Sequence, residues 1–171
     1  MLGFEPSFPA SWPVQLAETA FVGLLGAAAI FDMWSRRIPN VIPLLLAVAF
    51  AITLAVIGLP SDWPFHLLGA GVVLALGVLL FNRGLLGGGD VKLIAAATLW
   101  YGVDRLPIFL FGVSLAGGVL GLVTIIAKLA RNVIPSLGPH GPSSRSLRGL
   151  EIPYGVAIAL GGIIVRPLLG I

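Results

Sequence analysis

Apolar residues fall in six long runs along this chain, at 14–31, 41–59, 65–81, 90–101, 108–129 and 152–169, and the polar residues gather between them. Runs of this kind predict helices that cross a bilayer. The breaks between them carry turn chemistry. Pro39 disfavours helix at Ile38, and Asn40 is placed to cap the second run. Pro60, Ser61, Asp62, Trp63 and Pro64 read as a compact turn with an interfacial tryptophan. Residues 84–89 form a glycine loop, after which Asp90 opens the fourth run. That run is 12 residues long, about 18 Å of helix, which is less than a full bilayer. It is expected either to tilt in thinned lipid or to begin inside a cavity of the protein's own. A turn at 102–107 leads to the fifth run, where Gly117, Gly118 and Gly121 permit close helix contact. The longest polar segment, 130–151, precedes the last run. Residues 1–13, with Pro6, Pro9 and Pro13, read as an interfacial lead, and Glu18 is expected to reach the nearby interface.

Composition agrees with this pattern. The chain of 171 residues is 58% hydrophobic and only 10% charged, with a mean hydropathy of +1.07, whereas about a quarter of a soluble domain is charged. The expectation is an all-α polytopic bundle of six transmembrane helices, forming one domain over 1–171. The net charge of +3 does not point to nucleic acid, because the basic residues lie between apolar spans. The absence of cysteine removes disulfides, thiol catalysis and cysteine-ligated metal centres. With only His66 and His140, far apart in sequence, a histidine-rich metal site is not expected, and no cofactor is. The first Arg is Arg36, so no basic region precedes the first span, which is expected to stay as an anchor.

Six spans put both termini on one side. Arg36, Arg37, Arg83, Lys92, Lys128, Arg131, Arg145 and Arg148 then share one face, against Arg105 and Arg166 on the other. The positive-inside rule makes the eight-residue face cytoplasmic and both termini external. Asp32 and Asp90 fall on that cytoplasmic side.

These two acids are the candidate chemistry. Three glycines, Gly87 to Gly89, free the backbone before Asp90, and irregular backbone survives in a bilayer only within protein or beside a polar cavity. A carboxylate there needs polar company, and Asp32 is the available partner. Two close carboxylates share one proton. The ionised member can activate a water against a peptide carbonyl, and the protonated one can donate to the carbonyl oxygen and the leaving amine. If Asp90 caps its helix, the positive helix end favours its ionised form and leaves the proton on Asp32. The acids alone are also compatible with capping, or with an ion-coupled transporter or a scaffold. Spans nearly free of polar groups in their middles weigh against a transporter.

The string from Asp32 to Asn40, containing Arg36-Arg37-Ile38-Pro39-Asn40, resembles the first motif of prepilin peptidases. Gly87-Gly88-Gly89-Asp90-Val91-Lys92-Leu93 is similar to the second, a Gly-x-Gly-Asp followed by Lys two positions later. Pro153-Tyr154-Gly155 resembles a third patch near the last span. The resemblance implies an aspartic protease of the bacterial inner membrane. Such enzymes remove the short basic leader of prepilins or pseudopilins after a glycine at the cytoplasmic face. It places the catalytic aspartates at Asp32 and Asp90, the motif glycines at Gly87 and Gly89, and the variable position at Gly88. The lack of cysteine matches the short form associated with tight-adherence (Flp) pili, without the cysteine-bearing methyltransferase domain of larger members.

The remaining motif residues are expected to support the site. Lys92 lies two positions from Asp90, so on a helix it points elsewhere and is free to hold the loop or meet lipid phosphate. Arg36 and Arg37 fix orientation at the anionic leaflet. Pro39 and Asn40 shape the connector. Pro153 suits a first helical turn, Tyr154 is placed either to donate a hydrogen bond toward the acids or simply to sit at the interface, and Gly155 follows it. The partners implied are a prepilin with an apolar N-terminal helix and membrane lipid. The pairs Gly117–Gly118 and Gly161–Gly162 offer faces for close packing or for that helix.

Overall fold

The computed structural model describes residues 12–59, 61–133 and 154–165. Among them the chain is all helical: α1 Trp12–Ser35, α2 Val41–Ile57, α3 Trp63–Asn82, α4 Gly88–Val133 and α5 Tyr154–Val165. α1, α3 and the stretch Gly88–Ala127 of α4 are long and apolar enough to cross a membrane, while α2 and α5 are shorter apolar helices. The outer surface carries many large apolar side chains, among them Leu16, Ile52, Leu79, Phe111 and Leu122. Water would not tolerate so continuous an apolar surface; lipid does.

Two boundaries differ from the sequence expectation. α1 runs past Asp32 to Ser35, so the acid sits in the last turn of a helix and not in a connector. Its buried residues Phe21, Leu25, Ala28 and Asp32 follow one helical face. The expected turn at 102–107 shrinks to one residue. Gly102, at φ 64° and ψ −176°, is the only non-helical residue inside α4. A glycine takes this positive φ without steric cost, so residues 103–107 stay helical, including Pro107. α4 is therefore two helical arms, 88–101 and 103–133, close to the fourth and fifth runs. Pro60, within the other expected turn, lies outside the described residues, as do residues 1–11 and 134–153.

The first arm of α4 and α5 form the centre. Val91, Leu93, Ala95, Ala96, Ala97, Thr98, Trp100 and Tyr101 are buried on nearly every side of the arm, and α5 buries Gly155, Ala157, Ile158, Ala159, Gly161, Gly162 and Val165. Small residues let backbones approach closely. A Cβ on Gly161 would lie 2.5 Å from the Val113 nitrogen in the second arm of α4. α1 packs on α5 and α2, α2 also on α4, and α3 chiefly on α4. α3 buries only Gly69 and Gly77. A Cβ on Gly77 would meet Val91 at 2.6 Å, so glycine is what lets α3 lie flush.

Away from the acids the core is aromatic. Phe21 sits 5.1 Å from Trp100 and 5.7 Å from Tyr101, and Tyr101 stacks on Phe109 at 4.6 Å. The polar edges of these rings are satisfied by carbonyls: the Trp100 indole donates to Leu46 at 3.2 Å, and the Tyr101 hydroxyl to Gly162 at 2.6 Å. His66 belongs to this end of the bundle. Its Nδ1 donates to the Leu99 carbonyl at 2.6 Å, just ahead of the break at Gly102, and its ring stacks on Phe50. Its Nε2 faces Asp62 at 3.6 Å.

Candidate active site

Asp90 is the third residue of α4 and not its cap. Gly87 precedes the helix, its carbonyl accepting from the Val91 amide at 3.1 Å. The Asp90 carboxylate turns back and accepts a backbone hydrogen bond from Gly87. This is half of a capping box, with a third-position acid reaching the amide ahead of the helix. The turn-back requires glycine, because a Cβ on Gly87 would lie 2.5 Å from Asp90 Oδ2.

Asp32 is 7% exposed. Its Oδ2 accepts from the Gly155 amide at 2.7 Å. Gly155 is the second residue of α5, where amides have no partner within their own helix. Both acids therefore rest on amides at helix starts, where the peptide dipoles favour negative charge. The expectation that the helix dipole distinguishes Asp90 from Asp32 is corrected by this, since each carboxylate has a helix start of its own. The two carboxylates are near enough to repel one another.

The α1–α2 connector reaches the neighbours of both acids. Its backbone bends sharply at Arg36, which adopts φ 54°, and the Ser35 hydroxyl lies 2.8 Å from the Phe31 carbonyl and 3.0 Å from that of Arg37. Ile38 then reaches two glycines at once. A Cβ on Gly89 would meet Ile38 Cβ at 3.1 Å and its carbonyl oxygen at 3.3 Å; a Cβ on Gly155 would meet Ile38 Cδ1 at 3.0 Å and Asp32 Cβ at 2.8 Å. Gly87, Gly89 and Gly155 thus each vacate the space of a side chain beside an acid or beside Ile38. Gly88, by contrast, would touch only the Phe81 ring, at 3.3 Å.

Asn40 does not cap α2 through its side chain. Its Oδ1 accepts from Lys92 Nζ at 2.9 Å. This bond answers where Lys92 points: to the residue that opens α2. Pro39 is half-buried and its carbonyl accepts from the Ile42 amide at 3.1 Å, opening α2, while Arg37 is exposed. Tyr154 is 39% exposed. It lines an open recess of about 680 Å³ with Leu86, Ile94, Gly117, Gly118 and Ile158, among others. Among the described residues its hydroxyl makes no hydrogen bond to the acids, in keeping with the interfacial of the two readings. Pro153 lies outside the described residues. Glu18, half-buried, is 14 residues before Asp32 on the same helix, about 21 Å away, and does not approach the pair.

Sequence reasoning missed Ile38. The periodicity of α1 and α2 skips it, and only its place between motif residues on either side of the connector hinted at a role.

Two carboxylates thus sit where α1, α4 and α5 meet, in a bundle coated with apolar side chains, and the protein is a membrane helix bundle with a pair of acids at one end. The family model described as the type IV leader peptidase family matches residues 19–122; the chain belongs to that family and is a membrane-embedded peptidase. No curated protein and no solved structure matches the chain. The matched region includes both acids and the connector but ends before α5, so the Gly155 contact with Asp32 is a feature added by the fold.

Proposed function

We propose that this peptidase is an aspartic endopeptidase of the bacterial inner membrane that removes the basic leader of prepilins or pseudopilins after a glycine. The observation that carries the reading is the convergence of Asp32 and Asp90, each fixed by a backbone amide and each within reach of the other's charge. Asp32 and Asp90 are the catalytic pair and share one proton. The ionised carboxylate takes a proton from water, the resulting hydroxide adds to the scissile carbonyl, and the protonated carboxyl donates to the forming oxyanion. On collapse the leaving amine receives a proton and the carboxylates return to their starting state. No metal or organic cofactor takes part.

Topology supports the substrate class. Counting the two arms of α4 separately gives six crossings, with both termini external and both acids at the cytoplasmic edge. A prepilin, with its basic leader inside and its apolar helix in lipid, presents its scissile bond at that level. The recess lined by Ile94, one turn from Asp90, and by Tyr154, next to Gly155, takes the apolar helix. The likeness to short-form enzymes of tight-adherence pili follows from the same motifs and the lack of cysteine.

The test uses purified protein and a prepilin in lipid vesicles, with products read by mass spectrometry. The intact chain shortens the prepilin at one bond after glycine. Asp32→Asn and Asp90→Asn each insert and fold normally yet lose roughly 10²–10⁴-fold or more in rate. Unimpaired cleavage by either variant ends the two-acid mechanism, and an uncut substrate with the intact chain ends the substrate assignment.

A further inference from the structure

The acids sit on two different helices, α1 and α4, whose ring contacts, Phe21 with Trp100 and Tyr101, lie at the other end of the first α4 arm. Asp32 is near the end of α1 and Asp90 near the start of α4, and α1 packs on α2 and α5. The connector reaches the neighbours of both acids. Ile38 presses at once on Gly89, next to Asp90, and on Gly155, which holds Asp32. Two residues on, Asn40 is bonded to Lys92 across 52 positions of sequence.

We propose that the 36–40 connector is the spacer that sets the separation of the carboxylates, with Ile38 as its wedge and the Lys92–Asn40 bond as its tether. Lys92 and Asn40 are positioning residues. The wedge occupies the room that the two glycines leave open, since a Cβ on Gly89 or on Gly155 would come within 3.1 or 3.0 Å of Ile38, and this limits how far α4 and α5 can close on the connector. The tether resists separation, because it ties the second turn of α4 to the start of α2. Lys92 is thus engaged within the protein, although its side chain is exposed. A displacement of about 1 Å between reacting groups costs on the order of 10²-fold in rate, so a spacer of this kind acts on turnover. The inference rests on the two-acid reading for its consequence, and on geometry alone for its existence.

Two measurements separate these levels. The chain has no cysteine, so Trp34→Cys and Leu85→Cys, at exposed positions in the last turn of α1 and just ahead of α4, accept spin labels without interference. Their distance distribution in vesicles is narrow in the otherwise intact chain and broadens in Lys92→Met and in Asn40→Leu. Unchanged distributions in both overturn the tether, whatever the chain cleaves. In prepilin cleavage each single variant lowers kcat roughly 10–100-fold and moves KM by less than about twofold. The double variant is no worse than the poorer single one, because partners in one bond are not additive. The exchange Asn40→Lys with Lys92→Asn recovers most of the rate, and Lys92→Arg keeps it. Additive losses, or a loss confined to KM with Lys92→Met alone, assign Lys92 to lipid or leader and overturn the proposal. If the intact chain cleaves nothing while the distances broaden as stated, the function fails and the spacer stands.

Discussion

The two ends of the first α4 arm are built on different principles. At Trp100 and Tyr101 the arm is held by bulk: rings of Phe21, Phe50 and Phe109 fill space, while the Trp100 indole and the Tyr101 hydroxyl donate to carbonyls. At Asp90 it is held by the absence of bulk: Gly87, Gly89 and Gly155 leave room for two carboxylates and one isoleucine. The aromatic end sets how tightly the bundle holds together. The glycine end sets where two acids lie. Damage at the first should lower stability, and damage at the second should lower turnover with the fold intact.

The sharpest way to break that contrast is Phe109→Ala. Phe109 is fully buried, and its truncation is expected to cost about 3–5 kcal/mol in reversible unfolding in micelles. The remaining folded molecules cleave at the normal rate; a large fall in rate per folded molecule would erase the distinction. Gly155→Ala comes next. The new methyl collides with Asp32 and Ile38, and cleavage falls roughly 10²-fold, as expected for an acid displaced by about 1 Å. Circular dichroism stays unchanged, and full activity in this variant would show that Asp32 is not held where Gly155 places it. His66→Phe preserves the ring against Phe50 but strips the donor from the Leu99 carbonyl. It costs about 1–3 kcal/mol in stability and leaves kcat alone. Gly88→Ala is the smallest. Its methyl meets only the edge of Phe81, and a helical alanine in place of glycine changes stability by about 0.4–1 kcal/mol in the favourable direction, with normal cleavage.

Local pattern carried much of this structure. The runs of apolar residues located the helices, and the two motif strings located both acids, because motif and hydropathy are short-range properties. The extent of α1 was legible in retrospect: Asp32 continues the Phe21, Leu25, Ala28 face, but its charge reads as the end of a span. Gly102 was hidden among turn-forming neighbours, since Asp104 and Pro107 suggest a longer turn than the single non-helical residue requires. Asn40 was assigned to a cap by its local propensity, and lost that role to a lysine 52 residues away. The bond from Gly155 to Asp32 spans 123 residues. Nothing local to either position announces it.

One consequence follows from the hold on each acid being made of main chain. A peptide amide neither titrates in the working range nor changes when a side chain is substituted. The donors that hold Asp32 and Asp90 therefore stay the same through every protonation state the pair visits. They also persist through replacement of the surrounding lipid-facing residues by other apolar ones. Drift can rewrite the outer surface of such a bundle widely, provided that the two helix starts stay where they are.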